Sequence, residues 1–323
     1  MRHGSRLFAG LAAALFWAPG VALAQPPAQL PDALSQAMRD QLAHPLPALD
    51  SNPNVAERRA MSDKIQADLG AKLRQTYAVE ITEGVIAGVP VRHIAPKVRR
   101  GTKAVLLDLH GGGFQIDSGG MTETIPLAAL TGVEVVAVRY RMAPEHLFPA
   151  AVDDALAVYR ELLKTHSPRQ IVVYGTSAGA ILGPQLILRL RREHLPLPAA
   201  VGVFAGDADF ARTADSERLL GMGDLNKSFA TYMGAHAATD PLVSPIYGDL
   251  HGFPPTYCVT STRDFLMGPT VDFCRALDRA GVTTKLTVFD GLPHAFWAYM
   301  LGPEEEEANQ DMAAWMRGVL GVK

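Results

Sequence analysis

The chain has 323 residues, 48% hydrophobic and 20% charged, with a mean hydropathy of +0.08. Those values describe a well-cored globular protein and exclude a disordered or polytopic membrane chain. Its 30 Lys and Arg face 33 Asp and Glu, a formal net charge of −3, so the basic excess of a nucleic-acid-binding surface is missing.

The first 24 residues read as a cleavable signal peptide. Arg2, His3 and Arg6 form a cationic start, residues 7–21 are largely apolar, and Ala22-Leu23-Ala24 offers a cleavage site before Gln25. The apolar run is too short to span a bilayer. Cleavage removes Arg2 and Arg6 and takes the net charge to −5. Gln25, and no Cys, stands directly after the site, which argues against a lipoprotein anchor. The expectation is a soluble, exported protein, periplasmic or secreted, with residues 25–323 as a single domain.

Residues 25–54 are rich in Pro and Ala, with a helical segment near 31–42. A longer helix is predicted over 55–77. Met61, Ile65, Leu69, Leu73 and Tyr77 recur at four-residue spacing and form one apolar stripe, suited to packing on the main body or capping a pocket. From Val79 the period changes. Residues 79–86 and 89–94 alternate and turn at Gly88, as a hairpin does. Residues 104–109 and 133–138 are near-continuous apolar runs, suited to strands buried on both faces. A helix over 149–164, a strand over 171–174, a helix over 178–192 and a strand over 199–204 follow.

The rhythm lapses between 206 and 250, where only short helical pieces near 215–220 and 227–235 are predicted. Gly221 to Ser228 is a poor imitation of a phosphate-binding loop, with Asn226 where a Gly is needed. A strand at 255–260, a helix at 270–280, a strand at 284–289 and a helix from Pro303 complete the chain. Glu304 to Glu307 fill the first turn of that helix, where carboxylates suit the dipole without any partner. Strands alternating with helices predict an α/β protein with a mostly parallel, doubly wound sheet. Cys258, on a strand, and Cys274, on the next helix, are either a disulfide or two buried small side chains. Neither has a His spaced for a zinc site or an activated thiol.

The chemistry centres on Gly175-Thr176-Ser177-Ala178-Gly179, a G-x-S-x-G between a strand and a helix. That layout is a nucleophile elbow, with the Ser177 hydroxyl exposed on a tight turn. A serine hydroxyl needs a base beside it, held in turn by an acid. In sheet-based hydrolases the chain order is Ser, acid, His, each past the carboxyl end of a strand. Asp264 and His294 occupy those places. Asp290 also follows a strand, but it shares a strand end with His294 and would have to fold back on it, so Asp264 is the preferred acid. His110-Gly111-Gly112-Gly113, after a buried strand, can turn several N–H groups toward one point. With the N–H of Ala178 it makes a two-sided oxyanion hole.

With these pieces in view the chain resembles the hormone-sensitive-lipase-like (family IV) esterases of the α/β-hydrolase fold, in their GTSAG branch. The carriers are HGGGF at 110–114, YRMAPEHLFPAAVDD at 140–154, GTSAG at 175–179, DPLVSPIYGDL at 240–250 and the GLPHAF that holds His294. The resemblance implies an eight-stranded sheet with a helical cap from about 25–77 and 206–250. It implies a triad of Ser177, Asp264 and His294, and an oxyanion hole of Gly112, Gly113 and Ala178. The substrates implied are small carboxylic esters of short to medium acyl chain, with no cofactor, metal, nucleic acid or stable membrane insertion. A homodimer is left open. The acids that usually follow the triad Asp in this family are absent after Asp264. A lactonase or peptidase with the same triad, or a non-catalytic ligand-binding relative, are the competing readings.

Overall fold

A computed structural model of the chain describes residues 30–44, 54–220 and 225–323, with backbone only at 225–228. The segment assigned to a signal peptide lies outside the described residues, as does the Gly221-to-Asp224 half of the phosphate-loop imitation. Residues Pro31–Lys323 form one compact unit.

The described strands make one eight-stranded sheet in the order β1-β2-β4-β3-β5-β6-β7-β8. β1 (Val79–Ile86) and β2 (Val89–Pro96) form the predicted hairpin, and β2 pairs antiparallel with β4 (Glu134–Val138). β3 (Val105–Leu109), β5 (Ile171–Thr176), β6 (Ala200–Phe204), β7 (Thr256–Arg263) and β8 (Thr284–Pro293) are parallel to their neighbours. Every residue of β3, β5 and β6 is buried, as continuous Val, Leu and Ile runs require when helices cover both faces. The carboxyl ends of the central strands therefore open on one edge of the sheet, where open α/β sheets hold their ligands.

Helices α4 (Ala150–Leu162), α5 (Ala178–Arg192), α8 (Met267–Arg279) and α10 (Pro303–Leu320) fall where the sequence places them. The acidic start of α10 is structural: Glu304 accepts from the N–H and hydroxyl of Ser35, and buried Glu305 accepts from Asn309 at 2.6 Å. Two short helices carry no signal in the sequence: α3 (Thr124–Thr131), an apolar segment without helical periodicity, and α9 (Phe296–Tyr299), a single turn just past His294. The 206–250 insertion contributes α6 (Asp215–Leu219) and α7 (Leu225–Met233). Tyr232 of α7 stacks on Phe114 with ring centroids 3.6 Å apart, and its hydroxyl donates to Gln185 on α5.

The N-terminal helices are α1 (Gln36–Ala43) and α2 (Val55–Thr76). α2 corrects the sequence reading. Of the apolar stripe only Leu73 and Tyr77 are buried, whereas Met61 is 37% exposed. The inward face instead carries Arg58, Ser62, Gln66 and Gly70. Its partner is the loop over residues 115–121, whose peptide groups need hydrogen bonds. Ser62 Oγ and Gln66 Nε2 both donate to the carbonyl of Asp117 at 2.7 Å, and Gln66 Oε1 accepts the N–H of Met121. Arg59 donates to the carbonyl of Gln115, and Arg58 to the Gln115 side chain. Polar residues face inward because the surface they cover is backbone.

Cys258 and Cys274 are buried and unbridged. Their thiols neighbour one another, and that hydrogen bond together with burial pushes Cys258 well up. Among the described residues no helix is long and apolar enough to cross a membrane, and no group of three or more His, Cys, Asp or Glu could hold a metal ion.

Candidate active site

β5 ends at Thr176 and α5 begins at Ala178, so Ser177 is the whole turn between them. It has φ 57° and ψ −119°, a conformation that L-residues rarely adopt and that tertiary contacts must hold. One such contact is the Ser177 N–H donating to the carbonyl of Phe204 at 2.9 Å. The flanking glycines bring the end of β3 against the elbow. A Cβ at Gly179 would lie 1.5 Å from the Leu109 carbonyl oxygen, and one at Gly175 2.4 Å from the same atom.

From that contact the chain enters His110-Gly111-Gly112-Gly113. Gly112 and Gly113 have φ 112° and 60°, and the turn closes as the N–H groups of Gln115 and Ile116 donate to the Gly112 carbonyl. A Cβ on Gly112 would meet the Ile116 oxygen at 2.1 Å. Gly111 packs directly on the elbow, where its Cβ would lie 3.3 Å from that of Ser177. Among the described residues the N–H groups of Gly112, Gly113 and Ala178 donate to nothing else in the chain, which leaves them for an incoming oxygen.

Asp264 follows β7 and is fully buried. Its Oδ1 accepts from Nδ1 of His294 at 2.7 Å and from the Leu266 N–H at 2.8 Å, while its Oδ2 accepts from Thr260 Oγ1 at 2.8 Å. The two local donors, Thr260 and the Leu266 N–H, hold the carboxylate in place beside the histidine. The ring of Phe265 lies 4.2 Å from that of His294. Asp290 is elsewhere, accepting from Thr262 at 2.9 Å. Among the described residues neither Ser177 Oγ nor His294 Nε2 forms a hydrogen bond, so both are available.

Charged groups gather behind the glycine loop. Burial, with Glu123 and Asp117 close by, pushes Asp108 well up, which favours its neutral form. Burial also carries Glu123 up to about 7. Asp117 moves the other way: burial opposes it, but His110, the Gly120 N–H and Arg92 together hold it below the usual carboxylate range.

The family profile for the alpha/beta hydrolase fold matches residues 106–298, a span that includes the glycine loop, the elbow, Asp264 and His294. The chain belongs to that family. It is 34% identical over 231 residues to an acetyl-hydrolase of Streptomyces hygroscopicus, covering 67% of this chain and 76% of that one. The crystal structure of esterase E25 superposes with a TM-score of 0.80 at 32% identity, covering 91% of this chain and 96% of that one. An esterase of the bacterial hormone-sensitive lipase family gives 0.73 at 27% identity, over 88% and 96%. This α/β hydrolase is a carboxylic ester hydrolase of the hormone-sensitive-lipase-like group.

Proposed function

We propose that this α/β hydrolase cleaves carboxylic esters of short to medium acyl chain through an acyl-enzyme on Ser177, with His294 as base and Asp264 as the acid that orients it. The observation that carries the reading is the 2.7 Å bond from His294 Nδ1 to a fully buried Asp264. That bond leaves Nε2 as the acceptor, the tautomer a general base requires. Ser177 attacks the ester carbonyl as Nε2 takes its proton. Gly112, Gly113 and Ala178 donate to the resulting oxyanion, each such donor contributing about 3 kcal/mol to the barrier reduction. The imidazolium then protonates the leaving alcohol, and water repeats the sequence to release the acid. The short acyl preference draws support from the acetyl-hydrolase name of the Streptomyces relative.

The proposal includes a helical cap, from about residues 25–77 and 206–250, and export after cleavage near Ala24–Gln25, within the GTSAG branch. Hydrolysis of p-nitrophenyl esters from acetate to palmitate by the chain from Gln25 onward, beside a Ser177→Ala control, tests the core of it. Turnover of short esters that vanishes in the control is expected. Turnover retained by Ser177→Ala would overturn it.

A further inference from the structure

His294 stands where the sheet stops guiding the chain. The β7–β8 ladder runs to the Arg263–Pro293 pair, and the next residue is the candidate base. Asp264 and the Phe265 ring hold the imidazole against the end of β7. Neither refers it to Ser177, which follows β5, with β6 and β7 standing between β5 and β8. Ala295 then turns the chain with φ 53° and ψ 32°, a left-handed conformation that is costly for a residue with a Cβ and that neighbouring contacts must hold. The turn leads into α9.

Two side chains of that single helical turn reach the rest of the site. Trp297 is buried, and its Nε1–H donates at 3.2 Å to Oγ1 of Thr176, the residue before Ser177. The Phe204 and Trp297 rings meet edge to face with centroids 6.3 Å apart, and Asn309 of α10 donates to the Trp297 carbonyl at 3.4 Å. Two positions on, the Tyr299 hydroxyl donates to Ser118 Oγ at 2.9 Å. Ser118 is itself buried, and its N–H donates to the Gly111 carbonyl at 3.3 Å. The residues just past the base therefore hold both the nucleophile turn and the glycine loop.

We propose that α9 is a brace for the base, with Trp297 and Tyr299 as positioning residues that set His294 Nε2 against Ser177 and the oxyanion donors. Their part is geometric. Proton transfer needs Nε2 within hydrogen-bond reach of the serine hydroxyl, and an ångström of misplacement costs about 10²-fold. The assignment rests on the serine-esterase reading above.

The test uses Thr176→Val, which removes the acceptor of Trp297 and keeps the shape, Tyr299→Phe, which removes only the hydroxyl, and the two combined. For each, kcat and KM on p-nitrophenyl butyrate are measured across pH, with two further readouts. One is the rate of inactivation by an alkyl fluorophosphonate, whose phosphorus Ser177 Oγ attacks, expelling fluoride, as the base takes the serine proton. The other is the affinity for an alkyl methyl ketone that only occupies the pocket. Each single variant should lower kcat and the inactivation rate by about 3–10-fold, and the pair by about 10–100-fold. KM and ketone affinity should stay within about twofold, and the pH profile of kcat/KM should keep its wild-type form, because the Asp264 bond is untouched. Thr176→Ser, which returns the hydroxyl, should recover the rate. Thermal unfolding checks that each variant is folded, and if Thr176→Val is not, Tyr299→Phe decides. Unchanged kcat and inactivation in folded variants, in a protein whose Ser177→Ala form is inactive, would overturn the brace and leave the esterase reading standing. An equal loss of ketone affinity would also overturn it, because the whole pocket has then loosened. So would a displaced pH profile, which would put the loss in the Asp264–His294 bond. Turnover surviving in Ser177→Ala would remove the esterase reading itself.

Discussion

Replacing Asp264 by Asn separates two roles of that residue which are usually lost together. In the proposed triad the acid orients the imidazole, and its charge stabilises the imidazolium. In a site where the new amide turns its NH₂ toward the histidine, the wrong tautomer results and the rate falls by about 10⁴. Here the Leu266 N–H prevents that turn. It donates to Oδ1, the same atom that receives Nδ1–H of His294, whereas Oδ2 faces only the Thr260 hydroxyl. An NH₂ at the Oδ1 position would confront two donors. An NH₂ at the Oδ2 position meets a hydroxyl that can rotate to accept. Asp264→Asn therefore keeps its carbonyl toward His294, and the tautomer survives. What disappears is the attraction between carboxylate and imidazolium, about 2–4 kcal/mol for neighbouring charges at a buried protein site, or about 30–1,000-fold in kcat. Steady-state kinetics on p-nitrophenyl butyrate read the loss, and ¹⁵N-resolved imidazole NMR reads the tautomer. A drop of 10⁴ or more in a folded variant, with the proton moved to Nε2, would refute the Leu266 lock.

The other predictions concern packing, proton linkage and thiols. Gly179→Ala places a methyl 1.5 Å from the Leu109 oxygen, and relaxing that to an ordinary contact separates β3 from α5 by about 1.8 Å. Activity should fall by more than about 10²-fold, and a variant with wild-type kcat and melting temperature would show that the strand and the helix are not locked. Glu305 is carried by burial up to about 7 from 4.5, so the folded state holds that proton more tightly than the unfolded one. The stability this brings is complete below about pH 4.5 and is lost as the pH rises to about 7, with an upper limit of about 3 kcal/mol. Glu305→Gln should therefore melt higher than the parent at pH 8 and level with it near pH 4.5, and a constant offset at both values would count against the linkage. Buried Cys258 and Cys274 should resist an aromatic disulfide reagent until urea unfolds the chain, and prompt labelling of the native protein would contradict their burial.

Much of this architecture is legible in the sequence because its signals are local and mutually consistent. Continuous apolar runs mark β3, β5 and β6, the turn glycines mark the elbow and the glycine loop, and the strand end that Asp290 shares with His294 sets Asp264 apart as the candidate acid. The failures share one cause, which is that pattern reading takes the core to be apolar. α2 was assigned the wrong inward face because its partner is a loop of bare peptide groups, and only the fold reveals that Ser62 and Gln66 lie over Asp117 and Met121. Glu123 escaped for a related reason. A lone acid before a short apolar segment has no periodic signature, and its hydrogen-bond partner, the Gly111 N–H, lies 12 positions back in the chain. The support of Asp264 by Thr260 and Leu266 was equally hidden, since it comes from a hydroxyl and a backbone amide and not from further acids.

The inverted face of α2 has a thermodynamic consequence. A helix held to its body by apolar area loosens on cooling, as the hydrophobic effect weakens, and its release carries a large positive heat capacity. The contacts of α2 with the 115–121 loop are guanidinium, amide and hydroxyl bonds to peptide groups, and exposing polar surface lowers the heat capacity instead. This layer therefore keeps its hold on the glycine loop as the temperature falls, at the cold end of the range where an oil-like seam over the same loop would be giving way.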